Sequence, residues 1–153
     1  MLGDQYRNEY QDVVNSFYKL AFARKPEFMG WGYQWTTDKH GRERNTDTDF
    51  SLTNYREVDN RLSEYRRIGS IVENILNNMS DEKQKACFYK SLYYPVKGCE
   101  LLSRMVLDGQ RNRWYAIQQR ASAKDLKKSA KACYDSLEVI TKGYNSLLDG
   151  KWN

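Results

Sequence analysis

The chain has 153 residues, with 25 Lys and Arg against 20 Asp and Glu, which gives a formal charge of +5. At 40% hydrophobic and 14% aromatic residues it can build one folded domain, whereas disordered chains are poor in aromatics. The modest charge falls short of a nucleic-acid signature, no apolar run approaches a membrane span, and the first six residues lack a signal-peptide layout.

Only two prolines and nine glycines interrupt the chain, so long helices are permitted almost everywhere. The first predicted helix covers residues 4–23, with Tyr6, Tyr10, Val13, Val14, Phe17, Leu20 and Ala21 at spacings of three and four. Asp4 reads as its N-cap, Arg24 and Lys25 suit its C-terminal end, and Pro26 stops it. From residue 26 to 50 the helical period disappears, and Gly30, Gly32, Gly41, Trp31 and Trp35 fall in this stretch. A loop of that length in a compact domain is a place for function or contact. Within it, residues 39–42 suit a tight hairpin turn.

The second helix is predicted from residue 53 or 54 to 79, on a seam of Tyr55, Val58, Leu62, Tyr65, Ile68, Val72, Ile75 and Met79. Arg56, Glu57, Arg61, Glu64, Arg66, Arg67 and Glu73 take the remaining faces. Gly69 in that row costs about 1 kcal/mol relative to Ala and would permit a close helix crossing. Ser80 reads as the next N-cap, with a third helix from Asp81 carrying Cys87, Phe88, Leu92, Val96, Cys99, Leu102 and Val106. Pro95 predicts a kink near Tyr93 and Tyr94, and Asp108-Gly109 a second break before Trp114, Tyr115 and Ile117. Ser122 and Asp125 resemble a capping box for a last helix with Leu126, Ala130, Cys133, Leu137, Ile140, Tyr144 and Leu147 inward. Asp149-Gly150 ends it. The expected fold is all-α, one domain over residues 1–153: an antiparallel bundle of four to five helices with one long Trp- and Gly-containing loop.

Candidate chemistry is sparse. Lys124, Lys127, Lys128 and Lys131 share a helix with Asp125, Asp135 and Glu138, which reads as a solvated face rather than a nucleic-acid interface. Cys87, Cys99 and Cys133 form no CxxC pair, fall at inward positions, and have a single histidine, His40, in a distant loop. That argues against both a zinc site and a cysteine nucleophile. Lys39, Arg42 and Arg44 around His40 disfavour its protonated form. Glycoside hydrolysis needs two facing carboxylates, one with a raised pKa, and Glu27, Asp47 and Asp49 sit among polar neighbours instead. Capping or turn roles fit Asp47 and Asp49 better. No catalytic, cofactor or metal residue is assigned. Trp31 and Trp35 would either stack on a sugar or a neighbouring domain, or close the end of the core.

Five stretches resemble one region of the bacterial glycoside hydrolase family 115 enzymes, the xylan α-glucuronidases. They are the segments 17–29 (FYKLAFARKPEFM), 48–57 (TDFSLTNYRE), 88–98 (FYKSLYYPVKG), 115–123 (YAIQQRASA) and 144–153 (YNSLLDGKWN). Their order and spacing cover nearly the whole chain. The resemblance implies a helical accessory domain that follows the catalytic (β/α)8 barrel and precedes a C-terminal β-sandwich. It would be inactive alone, within an enzyme that removes glucuronic acid side groups from xylan. The family's catalytic carboxylates lie on the barrel, so none is carried to a position here, and no cofactor is implied. The implied partners are the barrel and the sandwich, with a homodimer interface or the cleft rim as further contacts, and no nucleic acid or membrane. Trp31, Trp35, Arg42 and Arg44 are the expected contact residues, on a long loop over a rigid bundle. The resemblance further implies export of the parent to the periplasm or cell surface, with Met1 a domain edge rather than a native start. Two other readings stand beside it. One is a free-standing helical module that binds a protein through Tyr, Trp and Arg; the other, less favoured, is an independent hydrolase.

Overall fold

A computed structural model describes residues 4–29, 36–37, 43–44 and 47–150. Among these residues are five α-helices: α1 Arg7–Ala23, α2 Glu57–Asn78, α3 Glu82–Phe88, α4 Tyr94–Ile117 and α5 Ala123–Asn145. A π-helical stretch, Tyr89–Tyr93, joins α3 to α4 as one rod, so the bundle has four rods. Each runs antiparallel to the one it packs on. Arg61 near the start of α2 reaches Leu20 near the end of α1, and Arg67 further along reaches back to Asp12. Lys97 of α4 faces Glu73 of α2, while Asp108 and Tyr94 of α4 meet Ser129 and Thr141 of α5. The all-α bundle expected from the sequence is the fold observed.

The core follows the helical periods. Val13, Tyr65, Ile68, Val72, Ile75, Phe88, Leu92 and Val96 are buried together between α1, α2 and the long rod. Each such side chain contributes roughly 1.5–3 kcal/mol on leaving water. A smaller cluster of Met29, Val58 and Leu107, with Phe50 and Leu52 against it, roots both ends of the long connection between α1 and α2. That connection is not wholly irregular: Pro26–Phe28 form a 3-10 turn, and β1 Thr36–Thr37 pairs antiparallel with β2 Glu43–Arg44. The register Thr36 to Arg44 brackets the predicted turn, whose residues 39–42 lie outside those described.

Helix ends account for most differences from the sequence expectations. α1 starts at Arg7 after a 3-10 turn, Asp4–Tyr6, so Tyr6 rather than Asp4 takes the cap position. α2 starts at Glu57 because Tyr55 and Arg56 adopt left-handed backbone, with φ of 54° and 52°. Before them, Ser51 donates its amide to Glu57 Oε2 at 2.7 Å and accepts the Asn54 amide on Oγ at 2.8 Å. This knot replaces the early helical turn, and it leaves Tyr55, expected on the seam, out in solvent. The cap of α3 is Asp81, accepting the Gln84 amide at 2.7 Å, not Ser80.

Pro95 produces the expected irregularity in a specific form. It has no N–H to give the carbonyl four residues back, and its ring crowds that carbonyl. The preceding turn widens, and the Tyr94 amide bonds to Tyr89 O, five residues back. At Asp108-Gly109, by contrast, α4 continues unbroken to Ile117, with Asp108 held by Ser129 of α5. The capping box does not form: Ser122 has helical dihedrals and its hydroxyl makes no cap bond. Instead α4 closes with amides of Gln119 and Arg120 returning to Ala116 O and Tyr115 O, Gln119 taking the left-handed position. α5 ends at Asn145, ahead of turns over 146–150.

Two glycines make room for side-chain tips from neighbouring elements. A Cβ on Gly69 would run into the Glu100 carboxylate of α4, which occupies that space. A Cβ on Gly143 would lie 2.6 Å from the Tyr89 hydroxyl, which donates to Ile140 O at 2.9 Å and ties α5 to the π-helical stretch.

Candidate functional site

The loop residues expected to make contacts divide into two sets. Trp31, Trp35 and Arg42 lie outside the described residues, and Arg44 is placed as the β2 partner of Thr36. What is described is how the loop is rooted. The buried Gln110 of α4 accepts from both the amide and the hydroxyl of Thr48, at 3.0 and 2.7 Å, and returns a bond to Thr48 O at 3.2 Å. Next to it, Arg113 pairs with Asp47. Asp47 is therefore an ion-pair partner of α4 and not a cap. Phe50 lies under the Arg61 guanidinium, 4.9 Å from ring centre to Cζ.

Among the described residues, α1 carries a marked apolar exposure next to this loop in sequence. Phe22 is 96% exposed, and Tyr18, one turn earlier, is 67% exposed. Val13, fully buried, is nine positions before Phe22, and at 100° per residue that is the opposite side of the helix. Tyr18 and Phe22 form a shallow groove of about 650 Å³ with Ala21, and Asn15, Lys19 and Lys25 edge it. Phe28, half exposed, follows in the same stretch of sequence. An amphipathic helix normally keeps its polar side opposite the core, so two aromatics there mark a surface for contact. The signal was present in the sequence as an aromatic pair at i, i+4, outside the apolar stripe.

Other candidates resolve individually. Cys87 is exposed rather than inward, because Phe88, one position on, takes the core-facing direction. Burial pushes the Cys99 thiol up to about 11 and Cys133 upward as well, so both stay protonated at neutral pH and are poor nucleophiles. Asp12 and Glu64 are held below the usual carboxylate range by hydrogen bonds from Arg67, the reverse of what a general acid needs. Lys124, Lys127 and Lys128 are exposed, and Lys131 pairs with Asp135 at 2.9 Å on the same solvated face. His40 lies outside the described residues. Among those described, no group of three His, Cys, Asp or Glu is placed to hold a metal ion, and no helix is long and apolar enough to cross a membrane.

Arg61 was expected on a solvent face and is 4% exposed. It spans from α2 to the end of α1, and burial lowers its pKa. No known family model matches the chain, and no curated protein is similar enough to count as a relative.

Proposed function

We propose that this chain is a non-catalytic helical domain that packs against a larger neighbour, and that the neighbour is the catalytic barrel of a xylan α-glucuronidase. The observation that carries the docking part is the Tyr18–Phe22 face of α1, turned directly away from the core. Leaving two aromatic rings in water forgoes roughly 1.5–3 kcal/mol each, which docking would recover. That face lies in the segment 17–29, one of the five that carry the family resemblance. The connection between α1 and α2 would contribute Trp31, Trp35, Arg42 and Arg44 to the contact. In this reading the domain braces the barrel and, through that loop, borders its cleft or a dimer interface.

The test uses the whole natural reading frame that contains these residues. Release of glucuronic acid from glucuronoxylan should come from that product and not from the 153-residue chain alone. Tyr18→Ser with Phe22→Ser should lower the melting temperature of the whole product by several degrees and leave the isolated chain unchanged; Trp31→Ala with Trp35→Ala should weaken xylan activity or assembly. A reading frame without a neighbouring barrel would replace this function with that of a free-standing interaction module. Xylan activity from the chain alone would sink the non-catalytic assignment.

A further inference from the structure

A second cleft lies between α2, α4 and α5, away from the α1 face. Three helical rows meet in it, each at spacings of three and four. Arg56, just before α2, and Asp59 and Arg66 on it form one row, Arg104, Asp108 and Arg111 of α4 the second, and Ser122, just before α5, with Asp125 and Ser129 on it the third. Its volume, about 610 Å³, lies in the range of roughly 300–1,000 Å³ typical of small-molecule sites.

The charges in the cleft are unevenly satisfied. Asp59 is taken by Arg111, with Arg56 at 3.7 Å on its other oxygen. Asp108, at the buried floor, accepts from the Ser129 hydroxyl at 2.6 Å and has Arg104 Nε at 3.5 Å. Those contacts occupy two carboxylates and only a small part of the donors, since each guanidinium carries five N–H groups. The Arg66 guanidinium makes no hydrogen bond or ion pair among the described residues, the residue's carbonyl alone accepting the Ser70 hydroxyl at 3.0 Å, and the hydroxyls of Ser63, Tyr115 and Ser122 donate to no side chain there either. One carboxylate remains, Asp125, exposed at the rim. Four guanidinia against three carboxylates leave the cleft one positive charge in excess, with unused donors on each arginine and the whole Arg66 fork open.

We infer that this cleft is a binding site for a small oxyanion, a phosphate or carboxylate group carried on a polar molecule, with Arg66 as the primary ligand and Arg104 beside it. The planar guanidinium fork matches both groups in a bidentate geometry that a lysine surface does not offer. Asp108 acts as a positioning residue, holding Arg104 against the floor. The inference stands independently of the domain assignment above, because it concerns a different face and different residues.

Titration calorimetry of the 153-residue chain, with inorganic phosphate and separately with citrate, tests it. At low ionic strength saturable binding is expected with a Kd of about 1 mM or tighter for at least one of them. The probe that binds identifies the oxyanion class. Arg66→Gln should weaken binding by about tenfold, and Arg66→Glu should abolish it, with unchanged melting temperature because Arg66 holds nothing in the fold. Lys128→Gln, on the exposed face of α5, should leave it unchanged. No saturable binding by either probe overturns the inference. So does binding that Lys128→Gln weakens and Arg66→Gln does not, which would place the anion on the lysine face.

Discussion

Arg61 of α2 donates through Nη1 to Leu20 O at 3.0 Å and through Nη2 to Arg24 O at 2.6 Å. The C-terminal carbonyls of α1 are thus capped by a side chain of the neighbouring helix. A helix end leaves carbonyls without intrahelical donors and carries the negative end of the dipole, so a guanidinium there meets both needs. The rings of Phe50 and Tyr65, 4.9 and 5.1 Å from its Cζ, flank the same cation. One residue therefore fixes the end of α1, the start of α2 and the root of the long loop.

Arg61→Met keeps the length and removes both bonds; Leu20 O keeps the Arg24 amide at 3.2 Å, while the part-buried Arg24 O loses its Arg61 donor. The expected loss is about 1–3 kcal/mol, the cost of one unsatisfied group with partial relief by burial of the apolar stem. Urea unfolding followed by circular dichroism measures it. A loss under about 1 kcal/mol would show that the cap is dispensable.

Gly69 gives a second prediction with a built-in control. A Cβ there would meet Glu100 Oε2 at 2.0 Å and Cδ at 2.9 Å, while Glu100 is held by Lys97 Nζ at 2.7 Å. Gly69→Ala is expected to destabilise by about 1–3 kcal/mol through overpacking. In a Glu100→Ala background the clash is gone, and the same change should stabilise by up to about 1 kcal/mol through helix propensity. Equal effects in the two backgrounds would refute the contact.

The contrast between Gly69 and Arg61 shows what the sequence makes legible. The four-rod bundle and the buried place of Gly69 on the α2 seam can be read from periodicity, because apolar residues at three and four set which faces meet. Arg61 cannot, since its position on the period looks like any charged face and its burial depends on where α1 ends in space. The same holds for the cleft: Arg104, Asp108 and Arg111 share one row of α4, but only packing against α2 and α5 turns three rows into a site. Helix starts at residues 57 and 82 depended on local hydrogen bonds of Ser51, Glu57 and Asp81, which compete with equally good caps nearby.

Thiol reactivity separates the three cysteines. Cys87 is exposed, whereas Cys99 is pushed up to about 11 by burial and Cys133 is buried. In the native chain at pH 8, one equivalent of a thiol reagent should react quickly, and Cys87→Ser should remove that phase. The other two should react only after denaturant is added. Fast reaction of all three in the native state would contradict the packing of α4 and α5.

The bond network of Arg67 predicts a particular pH dependence. Its Nη2 reaches Asp12 at 3.0 Å and Glu64 at 2.8 Å, and hydrogen bonding from Arg67 lowers both carboxyl pKa values from 3.8 and 4.5. Groups depressed in the folded state contribute stability that is complete above their unfolded pKa and disappears as pH falls through the folded one. The stability difference between the chain and Arg67→Gln should therefore be constant from neutral pH down to about 5, then shrink progressively below about 4. All the partners are at the surface, so the difference at neutral pH should be small, within roughly 1 kcal/mol, and reduced by added salt. A difference that grew on acidification would mean that Arg67 opposes these carboxylates rather than holding them ionised.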